Sequence, residues 1–369
     1  MKTLESFEKD LNKCSKCGLC EPACPLFKID PNECVASKGK FIMLHGVTKG
    51  DLKLSKNINR YIDMCLRCGK CNNFCPSDID VCKILNYAKY EYMKDKFSGK
   101  IINILESKFI FSNFIKVISH LTMLFRPKFK TPNQKDATNV LYFKGCVNQM
   151  LPNTDIYISK IFKEQQINII DPEFDCCGLP FLSDGNLKRF IEAAEYNLKL
   201  INSSSYDYII TDCASCEHTL NEYHKYITDI AEINIKPEKT INWGDLIAQQ
   251  GIHFKYNRPV KVTFHKPCHL KNDEFFKQIL KNCENVEYVE MENYDDCCGL
   301  AGSFCLKNVK LSSEIAKQKA RNIETANADY VITTCPACII GLKYGLFLIK
   351  GSTKVISLLN FLANADIIE

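Results

Sequence analysis

The fold is decided by a short stretch that occurs twice, DCCGLP at residues 175–180 and DCCGLA at residues 296–301. Each copy lies within a set of five cysteines, and corresponding cysteines of the two sets are 121 or 122 residues apart. A repeat this regular indicates two copies of one structural module. The first set comprises Cys146, Cys176, Cys177, Cys213 and Cys216, and the second comprises Cys268, Cys297, Cys298, Cys335 and Cys338.

The local patterns around these cysteines also repeat. Alternating strands and helices predict α/β modules with largely parallel sheets. Because parallel strands end on one side of a sheet, the loops after them should gather the cysteines of each module at one rim. The predicted strands are VLYF at 140–143, DYII at 207–210, VKVTF at 260–264 and DYVIT at 329–333, and the predicted helices cover 186–201, 217–226, 310–323 and 339–347.

The N-terminal part has a denser cysteine pattern, CSKCGLCEPACP at residues 14–25 and CLRCGKCNNFCP at residues 65–76. Both runs match the C-x2-C-x2-C-x3-C-P spacing that binds cubane 4Fe–4S clusters, in which the fourth cysteine of each run ligates the other cluster. The sequence therefore predicts one cluster on Cys14, Cys17, Cys20 and Cys75, and another on Cys24, Cys65, Cys68 and Cys71.

Structural zinc is the alternative for these two runs. Zinc sites use two cysteine pairs, usually with a longer gap between them, and two intact runs that end in proline do not fit that pattern. Residues 38–64, between the runs, predict helix and loop. We therefore expect a helical ferredoxin-like domain.

Cysteine is abundant, with 22 among 369 residues. Residues 1–13 are mixed and charged and lack the apolar core of a secretory signal, which predicts a cytoplasmic location and reduced thiols. A cysteine-rich chain in that compartment binds metal more often than it forms disulfides. No run of 18 apolar residues occurs, so we expect no transmembrane helix.

Charge and motifs exclude several classes of function. The net charge of +5 is too small, for this length, to form the basic field of a nucleic-acid-binding protein. The sequence has no G-x-G-x-x-G after a predicted strand and no G-x-x-x-x-G-K-[ST], so it carries no flavin, nicotinamide or nucleotide motif. It also lacks G-x-S-x-G, which would have indicated a hydrolase.

The repeated cysteine sets resemble the CCG domains in the B subunit of heterodisulfide reductase. They also resemble the iron–sulfur subunits of glycolate oxidase, anaerobic glycerol-3-phosphate dehydrogenase and lactate utilisation systems. The resemblance covers residues 140–348, and the ferredoxin-like runs extend it to nearly the whole chain. It implies that each module can bind an iron–sulfur cluster, in addition to the two cubanes.

In the heterodisulfide reductase branch the resemblance implies a noncubane 4Fe–4S cluster with all five cysteines of a module as ligands. The alternative is one loaded module and one structural module, the latter filled by zinc. The ligands implied for the first module are Cys146, Cys176, Cys177, Cys213 and Cys216, and those implied for the second are Cys268, Cys297, Cys298, Cys335 and Cys338.

The other cysteines and the nearby histidines are given simpler roles. Cys34, Cys82, Cys283 and Cys305 are expected to pack as small apolar residues. His265 and His269 flank Cys268, where an imidazole can tune a cluster or relay a proton. We favour the alternative, that both histidines hydrogen-bond the adjacent loop.

The sequence thus predicts an α+β multidomain protein. Its parts are a helical ferredoxin domain (residues 1–99), an amphipathic helix with a linker (100–139), and two repeated α/β modules (140–250 and 251–369). Within the linker region, Ile101–Arg126 is apolar with a narrow polar stripe, and the basic residues in and just after it outnumber Glu106; these are Lys108, Lys116, Arg126, Lys128 and Lys130. It suits a helix on an anionic membrane surface or a helix packed against protein, and we favour packing against protein.

The resemblance implies an iron–sulfur electron-transfer subunit of a flavin-linked dehydrogenase. A separate flavin subunit would oxidise a 2-hydroxy acid, such as glycolate or lactate, or glycerol-3-phosphate, and electrons would pass to quinone or another acceptor. The location would be cytoplasmic, or peripheral on the inner face of the cytoplasmic membrane. The alternatives are a heterodisulfide-reductase-like catalyst and a metal-free or zinc-bound assembly protein.

Overall fold

The computed structural model describes residues 2–96, 137–150, 153–162, 166–227, 240–249 and 251–368. The predicted amphipathic helix at Ile101–Arg126 lies outside these residues. Among the described helices, none combines the length and the apolar character needed to span a bilayer.

The N-terminal domain is helical, and residues 2–96 contain no strand. Pro25 begins a helix directly after Cys24, as expected for a residue whose fixed φ suits the first helical turn. The α-helices are α1 (Glu8–Lys13), α2 (Cys20–Ala23), α3 (Pro25–Ile29), α4 (Ser37–Thr48), α5 (Lys56–Asp63), α6 (Lys70–Asn73) and α7 (Val81–Lys96), and 3-10 turns cover Leu4–Phe7 and Glu33–Val35.

The first module is a parallel sheet in the order β2-β1-β3-β4. Strand β1 is buried at Val140, Leu141 and Tyr142, because helices cover both faces of a parallel sheet. The strands are β1 (Thr138–Tyr142), β2 (Ile167–Ile170), β3 (Tyr208–Thr211) and β4 (Thr240–Asn242). The helices are α8 (Thr154–Phe162), α9 (Leu179–Ser183), α10 (Leu187–Ser203), α11 (Ala214–Ile227) and α12 (Trp243–Gln249), with a 3-10 turn at Asn148–Met150.

The second module repeats this order as β6-β5-β7-β8. A last strand, β9, pairs antiparallel with the first residues of β5 and was not predicted. The strands are β5 (His253–Phe264), β6 (Glu284–Tyr288), β7 (Tyr330–Thr333), β8 (Lys354–Ser357) and β9 (Asp366–Ile368). The helices are α13 (Glu274–Asn282), α14 (Phe304–Lys307), α15 (Val309–Thr325), α16 (Pro336–Ile349) and α17 (Leu358–Ala363).

The predicted architecture is therefore confirmed, a helical domain followed by two repeated α/β modules with largely parallel sheets. The two modules face each other at the carboxyl ends of their strands, where Ala214 N donates to the carbonyl of Thr334 over 3.0 Å. The helical domain docks onto both modules. Asn86 Nδ2 donates to Tyr226 Oη over 2.9 Å, and Lys70 Nζ lies 2.6 Å from Asp296 Oδ1.

Candidate metal centres

All 22 cysteines are free thiols, and the structure gathers most of the predicted ligands into neighbouring groups. In both N-terminal runs the chain turns through left-handed backbone, at Lys16 and Gly18 in the first and at Arg67 and Gly69 in the second. Lysine and arginine rarely adopt this conformation. These left-handed residues bend the backbone of each run around its thiols and turn backbone N–H groups towards the sulfur atoms. Arg67 N, for example, donates to Cys65 Sγ over 3.4 Å.

The first group surrounds a small cavity of about 40 Å³. Cys75 lies in this cavity although it belongs to the second run, as expected if the fourth ligands are exchanged. Cys17 is exposed, so this group is the one that opens to solvent. The cysteines that line the cavity are Cys14, Cys17, Cys20, Cys71 and Cys75.

The second group joins Cys24 of the first run to Cys65 and Cys68 of the second. Burial raises the pKa of Cys68 well above its ordinary value, and the thiols of Cys268, Cys65 and Cys24 add to this effect. The fourth predicted ligand, Cys71, lines the first cavity and hydrogen-bonds Cys82. Cys82 therefore lies beside a predicted ligand, although its sequence position gave no sign of this.

The five cysteines of the first module form a continuous series of thiols. Cys176 Sγ lies 3.5 Å from Cys146 Sγ, Cys177 interacts with Cys176 and Cys216, and Cys216 interacts with Cys213. Gly145 provides room for the series, because a Cβ there would lie 2.8 Å from Cys216 Sγ and its φ of +74° disfavours a side chain.

The second module repeats this series. Cys268 interacts with Cys297, Cys297 with Cys298, Cys298 with Cys338, and Cys338 with Cys335. Hydrogen bonds from Cys297 and Cys338, opposed by burial, lower the pKa of Cys298 to about 5. A thiolate is therefore stabilised at the second position of the doublet, and thiolates are the form that binds metal.

The glycine after each doublet is required by the backbone. Gly178 has a φ of +91° and Gly299 a φ of +87°, both in the left-handed region. A Cβ at Gly178 would lie 2.6 Å from the ring of Phe190, and a Cβ at Gly299 would lie 2.8 Å from the carbonyl of Ser312. The glycine thus lets the helices after each doublet pack closely behind the thiols.

The two modules share one cavity of about 140 Å³ at their common rim. There Cys213 of the first module interacts directly with Cys335 of the second, and Ser215 Oγ lies 3.7 Å from Cys335 Sγ. At the opposite end of the second series, Cys268 lines the same cavity as Cys68 of the ferredoxin domain and has the largest charge effect on the Cys68 thiol. The cavity is lined by Cys146, Cys177, Cys213, Cys216, Cys268, Cys297, Cys298, Cys335 and Cys338.

The histidines near these thiols behave differently from one another. His269 has hydrogen-bond partners, but they lie outside the adjacent loop where we expected them. Its Nε2 lies 3.0 Å from the carbonyl of Arg67 in the ferredoxin domain, and its Nδ1 lies 3.1 Å from Ser215 Oγ in the first module. Its ring stacks on His218, with centroids 4.7 Å apart. His265 does not meet the expectation either, because neither of its ring nitrogens has a well-aligned hydrogen-bond partner in the described part of the chain.

A larger polar cavity of about 480 Å³ lies between the ferredoxin domain and the modules, and it reaches Cys68 and Cys268. Arg67 lines both this cavity and the shared one, and its buried Nε has no hydrogen-bond partner among the described residues. Sequence reasoning missed Arg67, although its place inside the second run was a usable signal. The basic residues of the larger cavity are Arg67, Lys70, Lys225, Lys266 and Lys271.

These donor sets suit iron–sulfur clusters. Each module offers five closely spaced thiols, one more than a tetrahedral zinc ion takes, and soft thiolates favour iron–sulfur chemistry. The surrounding backbone leaves space for inorganic atoms, as Gly145 and the shared cavity show. The assignment of individual ligands stays a prediction.

The fold and the cysteine groups define an iron–sulfur protein. The cysteine-rich domain family, CCG, matches residues 140–221 and 262–343, and the 4Fe-4S dicluster domain family matches residues 10–79. The chain therefore contains two copies of the CCG cysteine-rich domain and, in its N-terminal part, a 4Fe-4S dicluster domain. The predicted family and the predicted iron–sulfur cofactors are thereby confirmed.

Two relatives resemble almost the whole chain. The "Probable glycolate oxidase iron-sulfur subunit" of Bacillus subtilis (strain 168) is 22% identical, and the match covers 97% of this chain and 94% of the relative. The B subunit of the fumarate reductase (CoM/CoB) of Methanothermobacter marburgensis is 26% identical, over 96% of this chain and 72% of the relative.

One solved structure shares the fold over the full length. The crystal structure of a hypothetical protein from Helicobacter pylori matches with a TM-score of 0.54 at 12% identity. The match covers 97% of this chain and 70% of the other. At this identity the likeness concerns the fold alone.

Proposed function

We propose that this protein is the electron-transfer subunit of a flavin-linked dehydrogenase that oxidises a small 2-hydroxy acid. The observation that carries the proposal is the series of thiol groups from the exposed Cys17 to the cavity shared by the two modules. When bound, iron–sulfur clusters accept and donate single electrons at potentials set by charge, hydrogen bonds and exposure. A row of such sites suits transfer between two separate partners.

The ligand sets that we propose are those predicted from the sequence. The contacts between the thiol groups support an order in which electrons would pass from one group to the next. The group on Cys17 is outermost, the group on Cys24, Cys65 and Cys68 follows, and Cys68 then adjoins Cys268 of the second module. The contact between Cys335 and Cys213 continues the series into the first module. The protein's part is to hold these groups next to one another and to keep the inner ones away from water.

The proposed partners are a flavin-containing subunit, which would oxidise the organic substrate, and quinone or another acceptor. The glycolate oxidase relative, which matches over nearly the whole of both chains, supports a 2-hydroxy acid. We also propose a cytoplasmic location with peripheral contact at the membrane, for which the basic, apolar stretch 101–126 is the candidate.

Capture of the tagged chain from its own cells under anaerobic conditions would test this proposal. We expect a flavoprotein to co-purify and glycolate or lactate to bleach the visible absorption of the complex. Replacing Cys17 with serine should slow this reduction, whereas Cys283→Ser should not, because Cys283 lies outside every thiol group described above. A pure chain without a flavoprotein, reduced by none of these substrates, would contradict the proposal.

A second candidate function is reductive cleavage of a disulfide at the shared cavity. The favouring observation is that cysteines of both modules line one cavity, so a substrate there would contact both cluster sites. The relative from Methanothermobacter marburgensis, a fumarate reductase of the CoM/CoB type, is similar over 96% of this chain. If a disulfide reoxidises the protein after reduction with a viologen, this candidate is supported. If no disulfide does so, and glycolate or lactate bleaches the complex, this candidate is excluded.

A further inference from the structure

His265 is a fully buried imidazole that directly follows strand β5 and is 0% exposed. Among the described residues, no well-aligned hydrogen-bond partner lies at its Nδ1 or Nε2, although the backbone of Tyr294 is close to the ring. Burying a polar group without a partner is costly, so such groups are rare unless something binds them. The carbonyl of Tyr294, near the ring, already accepts hydrogen bonds from Lys266 N over 3.0 Å and from Lys319 Nζ over 2.9 Å.

The imidazole faces the thiols of the second module. A ring nitrogen of His265 and the Sγ atoms of Cys298 and Cys338 all lie within 4.8 Å of one another. These two cysteines are the second member of the doublet and the second member of the C-x2-C pair. Nitrogen and two sulfurs at this separation form three corners of a site for one metal ion.

In the described residues of the first module, no imidazole occupies the corresponding place. The position that corresponds to His265, three residues before the first cysteine of the set, is Phe143. Phe143 is also fully buried, and it packs against Phe174 with ring centroids 4.7 Å apart. An apolar ring therefore fills this place in the repeat, so packing alone does not require an imidazole.

We propose that His265 is a ligand of the second module's cluster, and that one ring nitrogen binds the iron held by Cys298 and Cys338. The proposal rests on the cluster content proposed above. It makes the two modules chemically different, one with cysteine ligands only and the other with a neutral nitrogen donor as well. Ligands and charge set the reduction potential of an iron–sulfur centre, so we expect the clusters of the two modules to differ in potential.

The test is pulsed EPR of the full-length, anaerobically purified protein, grown with 14N- or 15N-histidine. At potentials where the second module is paramagnetic, we expect a strongly coupled histidine nitrogen that changes with the isotope. Absence of that coupling in the wild-type protein overturns the proposal without any substitution being needed.

Three variants test whether the nitrogen coupling comes from His265. His265→Phe, which copies the first module, should remove the coupling and shift the reduction potential of one species, while His269→Gln should leave the coupling in place. Survival of the coupling in His265→Phe overturns the proposal. Phe143→His should add a second nitrogen-coupled species.

The cluster content itself is tested separately by Cys298→Ser. Loss of one species and its iron from that variant supports a cluster in the second module, and the nitrogen coupling then decides the role of His265. If Cys298→Ser keeps both the paramagnetic species and its iron, the proposed cluster content and the histidine ligand are both overturned.

Discussion

The doublet of the first module is held by two buried side chains. Asn197 Nδ2 donates to the carbonyl of Cys176 over 3.0 Å, and Tyr223 Oη donates to the carbonyl of Cys177 over 2.8 Å. Asn197 Oδ1 also accepts from Asp175 N over 2.8 Å. One amide therefore fixes the backbone on both sides of the first thiol, which keeps the thiols preorganised for a cluster.

We expect Asn197→Ala to lower the free energy of unfolding by about 2 kcal/mol, because it leaves buried backbone groups without partners. It should also reduce the iron retained by the first module. Urea unfolding and iron assays on the anaerobic protein would measure both effects. Lys199→Ala, at an exposed position of the same helix, is the matched control. An equal loss of stability and iron in that variant would mean that Asn197 does not hold the doublet in place.

Exchange of the fourth ligands is also testable at single residues. Cys24 adjoins Cys65 and Cys68, whereas Cys75 lines the cavity with Cys14 and Cys17. We expect Cys24→Ser to remove the EPR signal that Cys68→Ser removes, and Cys75→Ser to remove the signal that Cys17→Ser removes. Each change should release about four irons.

Cys34→Ser is the control for these changes, because Cys34 belongs to neither run. If Cys24→Ser instead removed the same signal as Cys17→Ser, each run would ligate one cluster by itself and the exchanged assignment would be wrong.

At the scale of elements, the second module depends on close packing between α15 and α16. Gly345 of α16 lies so near α15 that a Cβ would be 2.3 Å from the carbonyl of Ala316. The corresponding residue of the first module is Tyr223, whose hydroxyl holds the doublet. The two modules thus share strand order and cysteines but support their doublets with different side chains.

We expect Gly345→Ala to destabilise the second module by about 1–3 kcal/mol, because the added methyl group meets backbone and a helix must shift. Thermal unfolding followed by circular dichroism would measure the change. Lys343→Ala, at an exposed position of the same helix, should have little effect. An unchanged stability in Gly345→Ala would mean that α15 and α16 can move apart without cost.

At the scale of the whole molecule, ion pairs join the ferredoxin domain to the second module. Lys70 bridges Asp296 and Asp295, at 2.6 and 3.2 Å, and Lys28 lies 3.6 Å from Asp296. Burial raises the pKa of Asp296, but the hydrogen bond and charge of Lys70 outweigh it and the net pKa is lowered. This contribution is present above the ordinary aspartate pKa of about 3.9 and is lost as the pH falls through the lower folded value.

A charge-swap cycle tests this contact. Lys70→Asp and Asp296→Lys should each lower the free energy of unfolding by about 2 kcal/mol, because each leaves partly buried like charges together. The double variant should recover part of that loss. Lys317→Asp, at a partly exposed pair with Glu314 within one helix, is the control and should have a smaller effect. If the effects of Lys70→Asp and Asp296→Lys simply add in the double variant, the two residues do not form a direct pair.

The sequence by itself determined the elements that rest on local pattern. The predicted helices at 310–323 and 339–347 correspond to α15 and α16, and the predicted strands precede Cys146, Cys213, Cys268 and Cys335. Cluster-binding spacing in the two N-terminal runs is equally local. Strand β9 escaped prediction because it is a three-residue strand stabilised by pairing with the distant start of β5.

Only the tertiary structure decided how the cysteine groups meet. Cys68 and Cys268 are 200 residues apart, and Cys213 and Cys335 belong to different modules, yet both pairs are neighbours. The surroundings of His265 and Cys82 were likewise invisible in the sequence. Such contacts depend on how three packed domains bury their surfaces against one another, and no local spacing encodes that arrangement.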